Sequence, residues 1–95
     1  IVALGAVTHD HGSLGSGNCT TAIDGGTATG TATTDRITWN FNGDPTSITG
    51  FAPSASGGLF IYAYPASDHV YFKLCNNTAG AIDPGEITLN WMVLR

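Results

Sequence analysis

Charge is what this 95-residue chain has least of: three basic side chains (Arg36, Lys73 and Arg95) against seven acidic ones, 11% of residues in all and a net charge of −4. An average soluble domain carries about 25% charged residues. No basic stripe exists to neutralise phosphates, so nucleic acid is excluded as a partner. A surface this poor in charge is left to Thr, Ser, Asn, Gly and apolar groups, which suits a face covered by neighbouring subunits or by glycans. Helical periodicity is missing too. No window keeps a 3.6-residue apolar repeat, whereas glycine and β-branched residues abound, which predicts an all-β chain. Long apolar runs are also missing. The stretch Ile1 to Val7 is far too short to span a bilayer, and no membrane span is expected. The chain opens on Ile1 instead of Met, which suggests a removed export signal.

Cysteine is scarce but informative. Two cysteines, Cys19 and Cys75, with no CxxC pair and no clustered histidine ligands, read as one disulfide and place the chain in an oxidising, extracellular setting. Each sits beside a glycosylation sequon, Asn18-Cys19-Thr20 and Asn76-Asn77-Thr78, so Asn18 and Asn76 are candidate glycan anchors. If the bridge forms, those two asparagines lie close together. Ninety-five residues make one domain near the lower limit for a self-sufficient core, and closing the loop between the cysteines removes about 4 kcal/mol of unfolded-state freedom.

Period-two alternation marks the strands. In Glu86 to Leu94, Ile87, Leu89, Trp91 and Val93 alternate with Thr88, Asn90 and Met92. In His69 to Cys75, Val70, Phe72 and Leu74 share one face, and Tyr71 and Lys73 the other. Arg36 to Asn42 places Ile37, Trp39 and Phe41 inward. Leu59 to Tyr64 is apolar on both faces, which fits a central strand or one whose outer face meets another surface. Pro65-Ala66-Ser67-Asp68 is expected to turn it into the His69 strand. Further breaks are expected at Asp24-Gly25-Gly26, Asn42-Gly43-Asp44-Pro45, Gly57-Gly58 and Asp83-Pro84-Gly85, and Thr27 to Thr34 is expected to form a weak strand. Turns at this spacing predict an antiparallel β-sandwich, jelly-roll-like or immunoglobulin-like, filling residues 1–95 as a single domain.

The N-terminal segment stands apart. Ile1, Val2, Ala3, Leu4, Gly5, Ala6 and Val7 carry no charge, yet lie where chains usually fray. Two placements bury them: an edge or central strand of their own sandwich, or a strand donated to the next subunit, completing its sheet. Head-to-tail contacts that do not close a ring generate filaments.

His9-Asp10-His11 is the one cluster with liganding side chains, and His69 is a conceivable third ligand for zinc or copper. A structural zinc site wants four ligands, so the cluster reads as a polar loop, and no metal or other cofactor is expected. Ser13 or Ser16 with His9 and Asp10 has the residue types of a hydrolase, but nothing resembles a nucleophile elbow or oxyanion-hole loop. Asp24, Asp35, Asp44, Asp68 and Asp83 all fall at expected turns, where Asp supports the bend, and Glu86 begins a strand. An enzyme is not expected. Most aromatics read as core or subunit contact, though Tyr62, Tyr64 and Tyr71 form an alternative platform for a sugar or a partner. Thr27, Thr29, Thr31, Thr33 and Thr34 offer hydroxyls for O-linked sugar but are equally plain strand formers.

Thr34-Asp35-Arg36-Ile37, then Ser67-Asp68-His69-Val70-Tyr71-Phe72-Lys73-Leu74-Cys75-Asn76, then Ile82-Asp83-Pro84-Gly85 and a closing strand ending in a basic residue resemble a poorly characterised module of exported bacterial and environmental proteins and of some phage tail-fibre proteins. The resemblance runs roughly from Cys19 to Arg95 and implies a β-sandwich used for building or adhesion. The expected function is a structural subunit of an extracellular, glycosylated filament made of copies of itself, with Ile1 to Val7 as the coupling strand. The alternative is a receptor- or carbohydrate-binding module of a phage tail fibre.

Overall fold

A computed structural model describes the whole chain, Ile1–Arg95. Six strands build it: β1 (Ala3–His9), β2 (Ile23–Thr27), β3 (Arg36–Phe41), β4 (Leu59–Ala66), β5 (His69–Asn76) and β6 (Ile87–Leu94). Two single-turn 3-10 helices, Pro45–Ser47 and Ser54–Ser56, lie between β3 and β4. The strands form two three-stranded sheets, ordered β1-β6-β3 and β2-β5-β4. Every neighbouring pair is antiparallel, and the sheets stack as a sandwich with β1 over β2 and β3 over β4.

The two middle strands carry the core because each has a sheet neighbour on both sides and an opposing sheet beneath. Ile87, Leu89, Trp91 and Val93 of β6 face Val70, Phe72 and Leu74 of β5, and all seven are buried. The alternation legible in the sequence is the alternation of the fold. Burying one such side chain contributes about 1.5–3 kcal/mol, so these two rows dominate the hydrophobic stabilisation. Trp39 and Phe41 of β3 join from the flank, with Trp39 edge-on to Phe72 and Phe41 edge-on to Phe51.

Trp91 also ties the sheets together. Its indole N–H donates to the Gly25 carbonyl of β2 at 2.8 Å. The ring leaves no room around itself: a Cβ at Gly5 would lie 2.6 Å from its six-membered ring, and one at Gly25 would meet the Val70 carbonyl, Phe72 and Trp91. Both glycines are therefore required by close approach.

Three expectations are corrected. Asp24-Gly25-Gly26 is inside β2, not a break, although the register shifts between Asp24 and Thr27. The Trp91 contact selects those glycines and overrides their low strand propensity. Residues 27–34 are not a strand beyond Thr27; Gly30 is in the left-handed region at φ +90°. The segment turns back onto the β4–β5 hairpin, with Ala28 N–H donating to Asp68 O, Asp68 N–H to Thr31 O and Gly30 N–H to the Asp68 carboxylate. Finally, the hairpin turn is only Ser67-Asp68, since Ala66 already pairs with His69. Pro65 is accommodated because β4 is an edge strand.

The N-terminal segment is an edge strand of its own sandwich. Ala3 to His9 pair with Val93 to Ile87 in unbroken antiparallel register, and Val2 N–H adds one more bond to Val93 O.

Candidate functional site

Two three-stranded sheets leave four edges: β1, β3, β2 and β4. Natural proteins blunt edges with charge, proline, bulges or brevity. β2 is five residues long and irregular in register, β4 contains Pro65 and β3 starts on Arg36. β1 has none of these devices. It is regular, uncharged from Ala3 to Thr8, and flanked by apolar exposure: Ile1 is 80% and Leu4 68% accessible. Ala6 is exposed beside Leu4, while Ala3, Gly5 and Val7 turn toward the core.

Cys19 and Cys75 form the expected disulfide, across an isolated antiparallel bridge. Thr20 N–H donates to Leu74 O and Asn76 N–H to Asn18 O, both at 2.8 Å. The covalent staple thus holds residues 18–20 alongside the end of β5, and it requires a non-reducing environment. Asn18 and Asn76 are adjacent, as the bridge demands, but differ in access. Asn18 is exposed. Asn76 is 1% accessible: its Nδ2 donates to Leu14 O at 2.8 Å and Gly80 O at 2.9 Å, and its Oδ1 accepts from the backbone and hydroxyl of Thr78. Both amide hydrogens are in use, so in this folded domain Asn76 is a structural clamp with no free nitrogen for a glycan. The clue lay in the β5 alternation, which puts Asn76 in the inward row of Val70, Phe72 and Leu74.

The polar cluster at the end of β1 brings His9 Nε2 within 3.2 Å of His11 Nδ1. Burial, and then the neighbouring His11, hold His9 below the ordinary imidazole range. His69 is not their partner; it bonds Asp24 at 3.3 Å on β2. No group of three or more liganding side chains is assembled. Ser16 donates its hydroxyl to Thr78 O and not to a histidine. Asp35 and Asp44 accept the backbone N–H groups of Ala32 and Thr46, the turn role expected of them, whereas Asp24 accepts from Gly26 inside β2 and Asp68 from Gly30, 38 residues away in sequence. An ion pair illegible in the sequence closes the far end: Arg95 makes two hydrogen bonds to Asp35, at 3.0 and 2.9 Å, and one to Gly30 O.

The outer face of the β2-β5-β4 sheet is aromatic. Phe60, Tyr62 and Tyr64 project from alternate positions of β4, opposite Cys75, Lys73 and Tyr71 of β5. Phe60 and Tyr62 meet edge to face, Tyr64 lies beside Tyr71, and Tyr71 stacks on His69 with 10° between ring planes. The disulfide closes one end of this face and the His69–Asp24 pair the other.

The fold and these features define a small, disulfide-stapled antiparallel β-sandwich. No family model, curated protein or solved structure matches the chain. No helix is long and apolar enough to cross a membrane.

Proposed function

We propose that this chain is a structural subunit of an extracellular filament, coupled to copies of itself through β1. The observation that carries this reading is the unguarded edge: a regular, uncharged strand with Leu4 and Ile1 in solvent. Unpaired N–H and C=O groups along such an edge template the addition of another strand. The receiving surface is the opposite margin of the same sheet, β3 of the next copy, whose one guarding charge, Arg36, stands at its first residue and leaves residues 37–41 uncharged. An edge meeting a different edge is a heterologous contact, which propagates as a filament where the rotation between copies does not close a ring. With only 11% of residues charged, few ionised groups need be desolvated when copies pack together, and a glycan on Asn18 would shield the outside. The disulfide and the resemblance of residues 19–95 to exported building modules agree with an extracellular setting.

Electron microscopy of the native material tests the reading. Regular fibres whose length collapses in a Leu4→Lys, Ala6→Lys variant are the expected result. Both positions are exposed, so added charge acts on the edge and not on the core. Isolated particles in the unmodified protein would defeat the filament. Unchanged fibres in the variant would remove β1 from the coupling.

A further inference from the structure

We propose that the outer face of the β2-β5-β4 sheet binds an extended, neutral polysaccharide, with Phe60, Tyr62, Tyr64 and Tyr71 as the stacking surface and Lys73 and the His69–Asp24 pair as its polar contacts. The site is separate from the edge strand β1, which belongs to the other sheet.

The chemistry of the face selects the ligand. Tyr62 is 53% and Phe60 38% accessible, and Tyr64, Tyr71 and Lys73 are half-buried beside them. Phe60, Tyr62 and Tyr64 repeat every second residue along one strand, about 7 Å apart along the backbone, with the Phe60 and Tyr62 rings edge to face at 5.3 Å between centroids. The surface is open, with no enclosed pocket, a shape that fits an extended chain lying across the sheet. The three tyrosine hydroxyls make no hydrogen bond within the chain, in contrast to the Trp91 indole, which is satisfied internally. A tyrosine offers an apolar body and a polar tip, and a pyranose presents the complementary pair, a C–H face and a rim of hydroxyls.

Lys73 separates a sugar from a protein partner. It lies directly across from Tyr62, in the middle of the row. The two ion pairs of the structure are His69–Asp24 and Arg95–Asp35, so Lys73 has no carboxylate partner. Protein interfaces are depleted in lysine at their cores, and a dry contact that brought no carboxylate to Lys73 would bury an unpaired ammonium at substantial cost. Under a sugar, the ammonium donates to hydroxyls and stays partly hydrated. The net charge of −4 disfavours a polyanion, which makes the polysaccharide neutral.

Titration calorimetry of the whole protein with cellohexaose, mannohexaose and chitohexaose tests this, each oligosaccharide being taken to about 5 mM so that a Kd of about 1 mM is resolved. Saturable binding of at least one is expected. Tyr62→Ala should weaken it about 3- to 10-fold, the usual effect of one stacking ring, and Lys73→Met should weaken it as well, while Glu86→Gln, exposed just ahead of β6 on the other sheet, leaves it unchanged. Phe60→Ala supplies a second ring variant should Tyr62→Ala fail to fold, which an unchanged melting curve would exclude. Absence of binding to all three sugars overturns the proposal. So does binding that survives loss of both Phe60 and Tyr62, or a Tyr62-dependent self-association in place of sugar binding.

Discussion

The Trp91 indole N–H reaches across the sandwich to the carbonyl of Gly25, 2.8 Å away, and this single bond links the middle strand of one sheet to an edge of the other. Around it, Gly5 and Gly25 are reduced to hydrogen side chains because the ring occupies the space a Cβ would need. The fold is thus specified at its centre by one large side chain and two small ones.

Gly5→Ala should destabilise the domain by about 1–3 kcal/mol, the cost of forcing a well-packed core to shift. Trp91→Phe should cost a comparable amount, since it removes volume and strands a buried carbonyl. Urea unfolding of both variants, with Ala6→Gly as an exposed neighbour for reference, checks this; a Gly5→Ala protein as stable as the parent would contradict the packing described.

Reduction of the Cys19–Cys75 bond, or its replacement by serines, should remove about 4 kcal/mol, given a sequence separation of 56. For a domain of this size that is a large fraction of total stability. Thermal melts with and without reductant measure it, and the midpoint should fall sharply in the reduced sample.

Asn76→Asp should be strongly destabilising, by about 2 kcal/mol or more, because a carboxylate turns its oxygens toward the carbonyls of Leu14 and Gly80 and cannot donate to them. Asn18→Gln should leave stability unchanged. Glycopeptide mass spectrometry of natively produced protein should find sugar at Asn18 and an unmodified Asn76.

Acidification should loosen the fold in two windows. His9 lies below its ordinary 6.5 through burial and the adjacent His11, so the unfolded chain binds the proton more readily, and stability declines as pH falls through and below that value. Asp35 lies below its ordinary 3.8, chiefly through the Arg95 hydrogen bond, and Asp44 through the Thr46 N–H. Their contribution is present above about 3.8 and is lost as pH falls through their lower folded values. Melting temperature against pH should show both declines, with His9→Gln removing the upper one and Asp35→Asn reducing the lower.

What the sequence by itself determined is the inner fabric. Ile87 to Val93 and Val70 to Leu74 alternate with period two, and a half-buried strand has no other way to sort its side chains, so the two core rows and the all-β class were legible. So was the disulfide, because an even cysteine pair without metal-ligand spacing admits little else. Only the tertiary structure decided the rest. β2 was hidden because its glycines read as a turn until Trp91 stood over them. The edge position of β1 depends on pairing with residues 78 to 90 places away, from His9 with Ile87 to Ala3 with Val93, and the Arg95–Asp35 pair on a contact sixty apart. Asn76 shows the boundary between the two: its sequon is local information, whereas its burial follows from β5 continuing one residue beyond Cys75. Periodicity is a property of one strand, but which strands meet, and which side chains that closes off, is set by packing between them.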